Sequence, residues 1–98
     1  MVTLNLISKK DGDTVKARVY NANGYDIKVV ETLGMKSISA VGVNAIPQPR
    51  IILPADKTMD PQLAFGGDIF VSELDTFIKQ AKDAAELAYY LRDHQDEL

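Results

Sequence analysis

One stretch of this chain, SELDTFIKQAKDAAELAYYL at residues 72–91, constrains its fold more than any other. Ser72 followed three residues later by Asp75 has the spacing of a helix start, where a hydroxyl caps free backbone N–H groups and a carboxylate lies at the positive helix end. We therefore predict a long helix beginning at Ser72. One face of this helix is apolar and rich in alanine, which lets its backbone approach a partner closely. The residues of this predicted stripe are Leu74, Phe77, Ile78, Ala81, Ala85 and Ala88, flanked by Ala84 and Leu91.

The first thirty residues alternate apolar and polar positions, which is the period of half-buried strands. The segment KKDGD can form a turn that places Leu6 opposite Val15. A second turn, in which Gly24 supplies the positive φ of a three-residue loop, places Val19 opposite Ile27. In this register one side of a three-stranded meander is apolar. The helix is expected to cover that side.

The later strands are less sharply marked. SISAVGV predicts a fourth strand and residues 50–53 a fifth, while Pro47 and Pro49 fit an edge or an extended connection because they donate no ladder hydrogen bond. DIFV at 68–71 predicts a short strand that runs into the helix. Residues 54–67 lack clear periodicity, apart from a short helical turn expected at Asp60 and Pro61. The prediction is one α+β domain over residues 1–98, with an antiparallel sheet of about five strands packed on one long C-terminal helix.

Composition narrows the class of protein. With 46% hydrophobic and 26% charged residues, the chain has the composition of an ordinary globular protein. It contains no cysteine, which excludes disulfides, thiolate catalysis and cysteine-ligated zinc. The apolar run at the N-terminus is too short for a signal peptide, and its charges follow the run rather than precede it. We expect a cytoplasmic protein that does not enter a membrane.

No pattern in the chain specifies a reaction. The single histidine, His94, lies in a charged terminal turn where no fixed nucleophile or orienting group is expected beside it. Ser37 and Ser39 lack the glycine framing of a nucleophile elbow. The pair Asp11 and Asp13 lacks the further oxygen ligands of a calcium loop. We therefore predict no catalytic residue, no metal site and no cofactor, and a small enzyme using the 54–67 segment is only the third hypothesis.

Three residues of the predicted helix fall outside its sheet-facing stripe. Leu87 and Tyr90 point away from that stripe on the wheel, and Tyr89 lies at its edge. A helix over residues 72–98 would be about 40 Å long, whereas a strand of five or six residues spans about 17–20 Å, so the last turns should overhang the sheet. We predict that Leu87, Tyr89 and Tyr90 contact another protein or a second copy of the chain, forming a homodimer through the helix. The alternative is that the 54–67 segment covers them.

Charge is unevenly distributed along the chain. Residues 1–56 carry seven basic and five acidic residues, whereas residues 57–98 carry four and nine. In the predicted register Lys16, Arg18, Tyr20 and Lys28 share the outer face of the sheet. A basic sheet face with an aromatic residue is a way to bind single-stranded nucleic acid. The pI near 5.0 opposes this reading.

The leading functional hypothesis is a small non-enzymatic binding or regulatory protein that acts through protein–protein contacts. The excess of carboxylates in the second half also suits an acidic inhibitor, which would offer carboxylates to a nucleic-acid enzyme in place of phosphates. The alternative is a single-stranded nucleic-acid-binding protein that uses the outer sheet face.

Overall fold

The computed structural model describes residues 2–42, 49–54 and 56–98. These residues form a six-stranded antiparallel sheet and one long helix, so the predicted α+β class is confirmed. The strands are β1 (Asn5–Asp11), β2 (Val15–Ala22), β3 (Tyr25–Thr32), β4 (Met35–Gly42), β5 (Pro49–Ile52) and β6 (Gln62–Phe65), and the helix is α1 (Leu74–Asp93). Strand order in the sheet follows the chain, from β1 to β6. Each strand therefore pairs with its sequence neighbour through a hairpin or a longer connection.

The second half of the chain departs from several sequence predictions. Strand β6 lies in the 54–67 segment, whose sequence lacks clear periodicity. Residues 68–70 do not form the predicted strand, and the predicted helical turn at Asp60 and Pro61 does not form. A 3-10 turn, Val71–Glu73, precedes α1, and the side chain of Glu73 makes no capping hydrogen bond. The prediction that Ser72 caps the helix is therefore wrong. Pro49 lies within β5, while Pro47 falls outside the described residues.

The turn between β2 and β3 decides which side chains share a face of the sheet. Asn23 and Gly24 have φ angles of +51° and +77°, and they form a two-residue connection in which Ala22 pairs with Tyr25. Such Asn-Gly turns match the twist of a hairpin, whereas the sequence prediction used a three-residue loop. The actual register pairs Tyr20, not Val19, with Ile27. A slip of one residue exchanges the two faces of a strand.

The first hairpin also differs from the prediction. Strand β1 covers residues 5–11, and Leu6 pairs with Tyr20 rather than with Val15. The turn is centred on residues 12–14, where the Gly12 amide donates to the Val15 carbonyl at 2.8 Å. A bulge between Leu6 and Ser8 interrupts the ladder. The charged segment predicted as a turn is therefore the end of a strand.

The core lies between α1 and one face of the sheet, here called the inner face. Ile27, Val29, Ala40 and Ile51 are at most 2% exposed on this face. They pack in one cluster with four helix residues spaced as one helical stripe, namely Ala84, Leu87, Ala88 and Leu91. The opposite face is called the outer face.

The sheet has two ends that differ in their surroundings. At the covered end, Ala22, Tyr25 and Ile27 lie beneath the helix and are at most 4% exposed. At the projecting end, which includes the turns at 12–14 and 33–34, the inner face carries the charged row Asp11, Lys16, Glu31 and Lys36. The molecule is accordingly elongated, with a length of 49 Å along its longest axis and a radius of gyration of 14.3 Å.

Contacts at both ends of α1 fix its position on the sheet. Near its start, Phe77 packs edge-on against Phe65 of β6, with ring centroids 4.9 Å apart. Beyond its end, Lys36 Nζ donates to the carbonyl oxygens of Leu98 and Gln95 at 2.9 and 3.2 Å. These carbonyls belong to a 3-10 turn, Gln95–Glu97, and to the residue that follows it, so the contact ties the end of the chain to β4. No helix in the described residues is long and apolar enough to span a membrane.

Candidate protein interface

The face of α1 that packs on the sheet differs from the predicted one. Leu87 has no exposed surface and lies in the core, so the prediction that it points away from the sheet is wrong. Leu74 and Ile78, which were assigned to the core-facing stripe, are 47% and 42% exposed. The physical reason is that the second half of the helix makes the main sheet contact, and there the two leucines Leu87 and Leu91 bury more apolar surface than the alanine stripe would.

The two tyrosines predicted at an interface have different environments. Tyr89 is 44% exposed, and the Arg92 guanidinium lies 4.9 Å from its ring centroid. Tyr90 is half-buried against the core and stacks on the ring of His94 at 4.0 Å. His94 Nδ1 lies 2.8 Å from the Tyr90 carbonyl, to which it donates in the tautomer that carries a proton on that nitrogen. Of the three predicted contact residues, Tyr89 alone presents a large free surface.

The exposed apolar residues of the helix lie at its start instead. We define the helix-start patch as Phe70, Val71, Leu74 and Ile78, which are 76%, 89%, 47% and 42% exposed. Val71, Leu74 and Ile78 follow the i, i+3, i+7 spacing of one helical face. The last turns of α1 do not overhang the sheet as predicted, because Leu87, Ala88 and Leu91 are buried in the core there. The sequence contains a signal for this patch. On a helical wheel Val71, Leu74 and Ile78 lie on the side opposite Leu87 and Leu91, so one apolar stripe cannot include both sets.

The surroundings of the helix-start patch are acidic. Asp68, Glu73 and Asp75 lie within or beside it in the chain, and residues 58–78 contain no lysine or arginine. Lys79 follows directly but is paired with Asp83 at 2.9 Å. The patch is therefore an apolar surface with a negatively charged border.

The predicted basic face does not form as a single cluster. Lys16, Arg18 and Tyr20 lie on the inner face with Val29, whereas Lys28 lies on the outer face beside Val19. The one-residue difference in the β2–β3 register causes this separation. Nucleic-acid binding by these four residues stays a prediction, but a single strand could not contact all of them on one side of the sheet.

The same register places apolar residues where the sequence predicted basic ones. We define the outer-sheet patch as six uncharged residues in two adjacent rows on the outer face of β2, β3 and β4. They are Val15, Thr32 and Met35 in one row, and Ala17, Val30 and Ser37 in the next. Val15 is 44% exposed and Met35 is 76% exposed. Lys10 and Lys28 border the patch.

A buried tyrosine lies beneath the helix at the covered end. Tyr25 is 4% exposed, and its hydroxyl has no hydrogen-bond partner among the described residues. Burial, with a smaller contribution from the negative charge of Asp83, raises the pKa of Tyr25 to about 12. The helix residue Gln80 also buries a side-chain oxygen without a partner in the described part of the chain. The phenol of Tyr25 is thus buried and neutral.

Clefts lie on the surface of the described residues, and one of about 350 Å³ is lined mainly by residues of β4, β5 and β6. A shallow cleft of about 280 Å³ lies where β4 meets the end of the helix, and the Lys36 ammonium beside it already binds two carbonyls. The cleft is lined by Lys36, Ser37, Ile38, Leu53, Pro54 and Gln95. In residues 2–42, 49–54 and 56–98 no group of three or more histidine, aspartate or glutamate side chains is placed to hold a metal ion.

Comparison with known proteins found no matching family model, no similar curated protein and no similar solved structure.

Proposed function

We propose that this chain is a non-enzymatic binding protein that contacts a larger partner protein through the helix-start patch. The observation that supports this most strongly is the exposure of the four apolar side chains of the helix-start patch, which ranges from 42% to 89%. Contiguous exposed apolar residues bordered by polar ones are typical of protein-binding surfaces. Aromatic and aliphatic anchors of this kind supply most of the binding free energy in such contacts.

The negative charge of the border favours one kind of partner surface. Because Asp68, Glu73 and Asp75 surround the patch and residues 58–78 contain no basic side chain, a complementary surface has an apolar groove with lysine or arginine at its rim. A groove that normally holds the phosphates of a nucleic acid meets this description. The proposal thus includes an acidic inhibitor of a nucleic-acid enzyme as its most specific form.

The test begins with capture from an extract of the native host at low and high salt, followed by purification of the captured protein and calorimetric titration. We expect Leu74→Lys to weaken the affinity at least tenfold, because it inserts a charge into the apolar centre of the contact. Ile7→Lys is the matched control, since Ile7 is 64% exposed on a different element, strand β1. Unchanged affinity of Leu74→Lys, or an equal loss in both variants, would contradict the proposed surface.

The border charges give a second readout of the same contact. Replacing Glu73 and Asp75 by glutamine and asparagine should slow association and reduce its dependence on salt, because rim charges act mainly on the encounter rate. If the captured ligand proves to be a nucleic acid and its affinity is insensitive to Leu74→Lys, the alternative function through the basic residues of the sheet replaces this proposal.

A further inference from the structure

We propose that the outer-sheet patch binds the same patch of a second copy of this chain, so that two sheets pack face to face about a two-fold axis. This interface lies on the opposite side of the sheet from α1 and is separate from the helix-start patch. It moves the predicted self-association from the helix to the sheet. The inference is independent of the partner proposed above.

The strongest reason is that the apolar residues of β2 change from one face of the sheet to the other along the strand. Val15, Ala17 and Val19 lie on the outer face, whereas Tyr20 and Ala22, toward the end of the strand, lie on the inner face. Strands that face water on one side normally alternate in a single phase, with apolar residues toward the core. A second apolar surface, on the side without a helix, therefore indicates a second contact. Val30 in β3 and Met35 in β4 extend this surface across three strands.

The chain as a whole exposes more surface than a compact protein of its size. The accessible surface is 6636 Å², whereas a compact protein of this mass exposes about 5,500 Å². The radius of gyration of 14.3 Å likewise exceeds the value of about 12.6 Å expected for this length. This whole-chain surplus of roughly 1,100 Å² is large enough to include an interface of standard size, in which each partner buries about 800 Å².

The patch is also suited to contact its own copy. In a two-fold interface a residue near the axis meets its counterpart, so a charge there would face a like charge. The neighbouring residues Ala17 and Val30 are uncharged, and Lys10 and Lys28 lie outside the patch as a rim. Small side chains at Ala17 and Ser37 allow two sheets to approach to the usual separation of about 10 Å.

The first experiment measures molar mass by light scattering over a concentration series. The unmodified chain should approach twice its 10.8 kDa mass, and Ala17→Glu should return it to a single chain with its circular dichroism spectrum retained. Leu74→Lys is the control and should leave the dimer mass unchanged, which also separates this interface from the proposed partner contact. A mass of one chain at high micromolar concentration, or dissociation by Leu74→Lys alone, would overturn the inference.

A second experiment does not depend on the folding of a charged variant. Because the chain has no cysteine, a single introduced thiol reports only its own contacts. Ser37→Cys should form a disulfide-linked dimer under mild oxidation, whereas Thr76→Cys, at an exposed position on the first turn of α1, should remain largely monomeric. Efficient cross-linking at Thr76 without cross-linking at Ser37 would assign the interface to the helix and contradict the proposal.

Discussion

The two ends of the sheet differ in which face carries the apolar side chains. At the covered end, Tyr25 and Ile27 point toward the helix and are at most 4% exposed, while the outer face opposite them carries polar pairs such as Asn21 with Asp26, 3.2 Å apart. At the projecting end the inner face carries the charged row and the outer face the apolar patch. The difference shows that a single strand can place apolar side chains on one face of the sheet at one end and on the other face at the other end.

The largest expected difference between the two ends concerns packing. Leu87→Ala should lower the free energy of unfolding by about 2–5 kcal/mol, because the side chain is fully buried and its removal leaves a cavity. Leu33→Ala at the projecting end should change it by less than about 0.5 kcal/mol, since Leu33 is 93% exposed. Urea denaturation measures both. A cost for Leu87→Ala below that of Leu33→Ala would mean that the helix face is wrongly assigned.

The burial of Tyr25 at the covered end should appear as a dependence of stability on alkaline pH. Tyr25 has a folded-state pKa of about 12, above its ordinary value of 10, so the folded state keeps this proton where the unfolded state loses it. Stability from this group is complete below pH 10 and is lost as pH rises toward 12, by roughly 2 kcal/mol. The difference between the unmodified chain and Tyr25→Phe isolates this effect from other titrating groups. Identical alkaline profiles for the two proteins would show that water reaches the phenol.

The smallest difference concerns the two tight turns at opposite ends. Both have a positive φ at their first residue, +51° at Asn23 and +49° at Leu33. Asparagine tolerates this left-handed conformation, whereas leucine is strained in it. Leu33→Asn should therefore stabilise the fold by about 0.5–1 kcal/mol, and Asn23→Leu should destabilise it by a similar amount. Chemical denaturation at one protein concentration measures both variants, and a destabilising Leu33→Asn would show that Leu33 makes a contact in solution.

The fold class could be read from the sequence because each level of pattern agreed with it. Alternation over the first thirty residues, the glycine turns and the amphipathic segment after residue 72 all indicate a meander and a helix, and both are present. The β2–β3 register could also have been predicted from the sequence. Asn23-Gly24 is a strong signal for a two-residue turn, and reading it as a three-residue loop exchanged the faces of β2.

The surfaces were harder to predict than the elements. Val15, Ala17 and Val19 look like core residues because they are apolar and alternate, and only the pairing with β3 places them outside. Leu74 and Leu87 are equally apolar, and their burial depends on where the helix lies along the sheet. Helical periodicity identifies apolar stripes, but tertiary packing selects the one that becomes buried.

The sequential order of the strands has a consequence for how the chain forms during synthesis. Every strand pairs with its neighbour in sequence, so the sheet can assemble by successive hairpins with little loss of chain entropy on closing each loop. The cover of its inner face comes last, since Leu87 and Leu91 follow Ile27 by about sixty residues of chain. A nascent chain emerging from the ribosome would therefore expose Ile27, Val29 and Ala40 until the helix has been made. During that interval the unfinished sheet is the form most exposed to chaperone capture or aggregation.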